Sequence, residues 1–161
     1  MKFLADVADP VTVLGQQVSL MWIVIGAALV VFMQAGFALV ETGFTQAKNA
    51  AHVVSTNFAI FGLGFIGFYL VGFSFSFGGF SYSAFGMDAP VGSALIGSGD
   101  WIFFWKGGWA LTGDAITPAA IGFFLYMVAF MDTVATIPTG SMAERWKWSS
   151  FVVWGFFCGA I

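Results

Sequence analysis

"MQAGFALVETGFTQAKNAAHVVSTNF", from Met33 to Phe58, leaves one apolar run and enters the next. It carries one acid, Glu41, one base, Lys48, and one histidine, His52. The run behind it extends from about Val18 to Val40, with Gln34 as its strongly polar side chain. That exceeds the ~20 residues a bilayer-crossing helix needs. The run ahead extends from about Ala51 to Phe77, polar at its start and aromatic at its end. The quoted stretch therefore reads as a turn between two spans. Glu41 and Lys48 flank that turn, and the expected partner of Glu41 is Lys48 or a basic residue of a missing part of the protein.

Working outward, a third apolar run covers about Ile116 to Ser141, "ITPAAIGFFLYMVAFMDTVATIPTGS". Pro118 suits a helix start. Pro138 is expected to kink or loosen the far end. A fourth run, "SSFVVWGFFCGAI", begins near Ser149 and stops at Ile161, too short to cross a bilayer. Gly62, Gly64, Gly67 and Gly72 give the second run a small face for close helix packing. Between the second and third runs lies a stretch rich in Gly, Ser, Asp and Trp. It reads as a structured loop at the membrane surface, with Trp101, Trp105 and Trp109 as an interfacial belt.

Composition agrees with lipid as the solvent. The chain has 161 residues, 60% hydrophobic and only 8% charged, with a mean hydropathy of +0.93. A soluble domain carries about 25% charged residues. The net charge of −3 gives no footprint for nucleic acid. The single Cys158 excludes an internal disulfide and a cysteine-based metal cluster. "MKFLADVADP" lacks the basic and apolar regions of a signal peptide. No nucleophile–base pair or phosphate loop supports an enzyme, and no cofactor is expected.

Basic residues set the expected orientation. Lys48 lies between the first and second spans, and Arg145 and Lys147 between the third and fourth. Asp6, Asp9, Asp88, Asp100 and Asp114 crowd the opposite side, with Lys2 and Lys106 as the bases there. The N-terminus is then outside a cell membrane, plasma or inner. The last run ends at an apolar residue, and a carboxylate in lipid is costly. The expectation is three full spans plus a truncated fourth, part of a longer polytopic, all-α membrane bundle.

Two stretches carry a resemblance. "MQAGFALVETGFTQAKNA" resembles the end of the first helix of the ammonium transporter (Amt/Mep/Rh) family, through Gly36, Gly43, Lys48 and Asn49. "FFLYMVAFMDTVATIPTGSMAERWKWSS" resembles the third helix of that family, and the plant and bacterial Amt branch is the nearest in character. The resemblance covers nearly the whole chain and about the first third of such a transporter. It implies an eleven-helix, channel-like fold assembled as a homotrimer. It implies ammonium or ammonia as the substrate, the bilayer as surroundings, and a cytoplasmic regulatory protein as a further partner. Ammonium would pass an aromatic vestibule, a phenylalanine gate and a hydrophobic pore with two histidines on later helices.

Carried over, Phe130 matches the gate and Tyr126 a vestibule position. Phe37, Val40 and Ile137 match apolar pore-lining positions. Glu144 and Arg145 match a structural cytoplasmic pair. Asp132 is an intramembrane acid, hence a functional candidate by default. The alternative is a hydrogen bond to Thr133, Thr136 or another span. Two residues turn a helix by about 200°, so Asp132 and Phe130 need not share a face. His52 reads as an interfacial, hydrogen-bonded histidine rather than a proton relay. Phe58, Phe61, Phe65, Phe68 and Tyr69 read as lipid-facing or packing surfaces. Two other readings remain at this point: an ammonium sensor coupled to a signalling domain, and a small structural membrane protein.

Overall fold

The computed structural model describes residues 9–98, 101–113 and 116–161, apart from the side chains of Ser98, Trp101 and Phe103. The residues Lys2, Asp6, Asp100 and Asp114 named above, and the ring of Trp101, lie outside the described part. The elements in order are α1 (Pro10–Phe44), α2 (Ala50–Gly67), α3 (Phe73–Phe77), β1 (Ser93–Ser98), β2 (Trp101–Lys106), α4 (Pro118–Ser141) and α5 (Trp148–Ala160). A single wide turn, Phe68–Gly72, joins α2 to α3, so the helical stretch from Ala47 to Phe77 is continuous. Among the described residues, three helical stretches are long and apolar enough to cross a membrane: Pro10–Phe44, Ala47–Phe77 and Pro118–Ser141.

The helix ends follow local chemistry. Asp9 caps α1, its carboxylate accepting from Val11 N–H at 3.3 Å, with Pro10 opening the first turn. This starts α1 eight residues before the expected Val18. An aspartate followed by proline is a helix-start signal that outweighs the polar Gln16 and Gln17. Thr117 caps α4 by accepting from Ala120 N–H at 3.2 Å, and Pro118 takes the expected first position. Pro138 does not end α4, which runs on to Ser141.

Helices α1 and α4 run parallel. Leu20 reaches Gly122, Gly26 faces the Tyr126 ring, and Gln34 and Glu41 bond to Thr136 and Thr139. The α2–α3 rod runs against them and α5 lies along α2. The α2–α5 contact is backbone on backbone, because Gly67 and Gly72 face the carbonyls of Phe156 and Gly159. A Cβ at either position would clash, so absent side chains permit the approach. Gly62 is not part of this face, since a Cβ there would meet nothing within 4 Å.

The core near the start of α4 is aromatic. Phe68, Phe73, Phe123 and Phe124 are buried together, joined by Phe85, Met87 and Val91 of the connecting segment. That connection holds an antiparallel hairpin, β1 against β2, in an otherwise helical bundle. Trp105 of β2 covers Gly78 and Gly79. The Ser74 hydroxyl donates to the Gly107 carbonyl at 2.6 Å and ties the connection to α3.

Candidate functional site

Helix α4 has two distinct faces. Tyr126, Phe130, Val134 and Ile137 recur every three or four residues and share one face. Phe130 is 40% exposed, and Val134 and Ile137 are exposed with it. The Tyr126 and Phe130 rings sit 4.9 Å apart at 56°. Phe130 borders a groove of about 280 Å³ with Phe68, Met127, Met131 and Val134. Ile137 borders a second, open cavity of about 420 Å³ with Phe37, Val40, Glu41, Phe44 and Arg145. Phe130, matched to a gate, and Ile137, matched to pore lining, are thus on one stripe but border separate hollows, and Phe37 and Val40 reach the second hollow from α1.

The opposite face of α4 is packed and polar in its later half, from Asp132 to Thr139. Asp132, Thr136 and Thr139 are all buried there. Asp132 is 1% exposed, and its Oδ1 has no hydrogen-bond partner among the described residues. The hydroxyls expected to serve it are directed elsewhere. Thr133 donates to the Ala129 carbonyl and Thr136 to Gln34 Oε1.

One turn further, α1, α2 and α4 are joined by a buried polar lock. Gln34 Nε2 donates to the Asn57 carbonyl at 3.0 Å. Thr136 Oγ1 donates to Gln34 Oε1 at 3.0 Å. Asn57 Nδ2 donates to Glu41 Oε2 at 2.6 Å and to the Val53 carbonyl at 3.1 Å. Thr139 Oγ1 lies 3.0 Å from Glu41 Oε1. Ala27 and Glu41 are the buried residues of α1, and Glu41 is the polar one of the two. The expectation that Glu41 pairs with Lys48 is corrected: Lys48 is exposed on the turn, and the partners are Asn57 and Thr139. A signal was present in the sequence. Gln34 and Glu41 are seven residues apart, two helical turns on one face, and Asn57 lies in the facing run.

The α1–α2 and α4–α5 turns meet at the same end. Glu144 accepts from Gln46 N–H and from Asn49 Nδ2, both at 2.9 Å. These bonds, first the Asn49 amide and then the Gln46 backbone, hold its carboxyl below the ordinary value of 4.5, helped by Lys48 and Arg145. Glu144 has φ of +65°, a left-handed conformation uncommon for a non-glycine residue. The matched Glu–Arg pair is therefore a clasp between turns on the glutamate side. His52 stands edge-on to Trp148, ring centroids 6.1 Å apart, and is exposed.

Long apolar helices around a buried polar lock define an integral membrane bundle. Comparison with known proteins gives the family. Residues 21–161 match the Ammonium Transporter Family model, and the chain belongs to that family. It is 34% identical to ammonium transporter Amt2 of Archaeoglobus fulgidus over 144 residues, 89% of this chain and 27% of the relative. It is 34% identical to ammonium transporter Amt1 of Haloferax mediterranei over 147 residues, 90% of this chain and 24% of the relative. Ammonium transporter 1 member 3 of Solanum lycopersicum is 32% identical over 140 residues, 87% of this chain and 26% of the relative. The chain thus spans about a quarter of the length of these relatives. No solved structure matches it. Family and apolar helices together make it a membrane protein.

Proposed function

We propose that the chain contributes the first spans of an ammonium-conducting membrane protein, with one stripe of the conduction path on α4. The observation that carries this reading is the exposed stripe Phe130–Val134–Ile137, continued by the partly buried Tyr126 ring and set against the buried Asp132, Thr136 and Thr139. Phe37 and Val40 of α1 continue it around the cavity that Ile137 borders. The relatives, named ammonium transporters, supply the substrate class.

The chemistry follows from the side chains. Ammonium loses water on entering a narrow path. Aromatic faces at Tyr126 and Phe130 offset part of that cost, by about 0.5–2 kcal/mol per contact. Beyond Phe130 the stripe is aliphatic, and an isolated charge there is very costly. Such a path favours a species that can give up its charge as a proton. Potassium cannot do so, which is the basis for selectivity. Asp132 faces away from this stripe, so it acts in packing rather than in the path.

The same reading places the N-terminus outside. Support comes from the clasp, which brings the Lys48 and Arg145 turns to one end, where basic residues are retained on the cytoplasmic side. Assembly as a homotrimer belongs to the same reading.

The test is a chimera in which residues 21–161 replace the matching segment of Archaeoglobus Amt2, assayed by methylammonium uptake. Phe130→Ala should lower uptake by up to about thirtyfold, the equivalent of about 2 kcal/mol of lost cation–π contact. Phe61→Ala, on the α1–α2 groove, should lower it far less. Equal losses would remove Phe130 from the path. No uptake by a folded, membrane-inserted chimera would count against the transport reading.

A further inference from the structure

The hydrogen bonds of the polar lock balance everywhere except at Glu41. Asn57 Nδ2 carries two hydrogens and meets two acceptors, Glu41 Oε2 and the Val53 carbonyl. Thr136 has one and gives it to Gln34. Thr139 also has one, yet its oxygen lies 2.6 Å from the Thr136 carbonyl as well as 3.0 Å from Glu41 Oε1. One hydrogen cannot serve both. A carboxylate offers about four acceptor sites, so Glu41 is short of donors, most of all at Oε1. The donors that do reach it are both neutral.

This donor-poor carboxylate also borders a space. Glu41 lines the cavity of about 420 Å³ together with Phe37, Val40, Phe44 and Ile137, with Glu144 and Arg145 also on its wall. Gly140 lies against the carboxylate, and a Cβ there would come within 2.9 Å of Oε1. The absent side chain keeps that oxygen approachable.

We propose that Glu41 is a binding residue for a small monovalent cation that carries N–H donors, seated in this cavity against Oε1. It relies on the transport reading for the identity of the cation, ammonium. The geometry of the site stands independently of it. An ammonium ion supplies the missing hydrogens and the opposite charge in one step. Phe37 and Phe44 line the same cavity and bring aromatic rings to it. Potassium gains less, because it meets the same charge but has no hydrogen to give to Oε1. The lock then has a second role. Asn57 and Thr139 hold the carboxylate at the cavity while Gln34 and Thr136 fix the helices that carry it.

The experiment uses the full 161-residue chain in lipid nanodiscs. Ammonium chloride is titrated against potassium chloride at constant ionic strength, and the unfolding midpoint is followed by tryptophan fluorescence. A ligand of the folded state raises the midpoint with concentration. Ammonium should raise it more than potassium does. Glu41→Gln should weaken ammonium binding at least about tenfold, as expected for loss of a charge-assisted hydrogen bond. Glu41→Asp should retain part of it. If Glu41→Gln fails to fold by circular dichroism, Gly140→Ala takes its place, since it keeps the charge and crowds Oε1. An equal response to both salts, or ammonium binding unchanged in the folded variant, overturns the proposal. Binding intact without uptake by the chimera overturns the transport reading alone, and uptake without binding overturns the Glu41 site alone.

Discussion

Near Phe123, α4 is held by ring against ring; near Thr139, it is held by hydrogen bonds between side chains. The first region stacks Phe123 on Phe80 at 4.5 Å and sets Phe73 edge-on to Phe124 at 5.3 Å. The second joins three helices through Gln34, Asn57, Glu41, Thr136 and Thr139. In lipid there is little hydrophobic drive between helices, so both regions depend on contact quality. Rings give dispersion over a large area and tolerate small shifts. Hydrogen bonds fix register, because a slip of one residue in α1 or α4 would leave Glu41 buried without a partner. The aromatic end therefore supplies cohesion, and the polar end supplies specificity and a site.

Removing a ring should have the largest effect. Phe73 is 1% exposed and touches Phe68, Phe77, Phe123 and Phe124. Phe73→Ala should cost about 3–5 kcal/mol through lost contacts and the cavity left behind. Denaturant unfolding of the reconstituted chain measures it. A loss below about 1 kcal/mol would mean that the rings slide together and that cohesion lies elsewhere.

The polar end should lose less stability and more order. Asn57→Ala removes the firm donor to Glu41, at about 1–3 kcal/mol for a buried group left unsatisfied. Interhelical hydrogen bonds in membranes often fall near 0.6 kcal/mol, so a value toward the lower end is expected. A double-mutant cycle with Glu41→Gln separates the pair from its surroundings. A coupling of zero would show that Asn57 and Glu41 act independently, and the lock would reduce to packing.

The helical spans were legible because apolar length and helix-start chemistry are local. Ala51 to Phe77 and Ile116 to Ser141 stand within a few residues of the observed Ala47–Phe77 and Pro118–Ser141. The hairpin was less legible although "SALIGS" and "WIFFWK" flank a Gly–Asp pair, a β-turn signal. Its many glycines and aromatics also fit a membrane-surface loop, and strand pairing is settled only when both strands are seen together. The lock was hidden for a related reason. Glu41 has a cation seven residues ahead in the chain, and sequence distance favours that pair. Helix packing instead turns Glu41 inward, where it bonds to Asn57 and Thr139. Which buried polar groups meet depends on which helices face each other, and no single run contains that information.

The smallest effect tests where the polar end stops. Glu144 is fully exposed, yet it joins the two turns beyond the lock through Gln46 and Asn49. Its folded-state value is depressed, so its contribution is present above pH 4.5 and is lost as pH falls through the folded value. Glu144→Gln keeps an acceptor oxygen for one donor and removes the charge. It should leave the unfolding midpoint near pH 7 only slightly lower and flatten its decline below pH 4.5. Glu144→Gly should relieve the left-handed backbone at φ of +65° while losing both bonds, so the two changes oppose each other. If Glu144→Gln retains the full acid decline, the clasp carries no linkage. The acid sensitivity then belongs to groups within the bundle, and the polar end stops at Thr139.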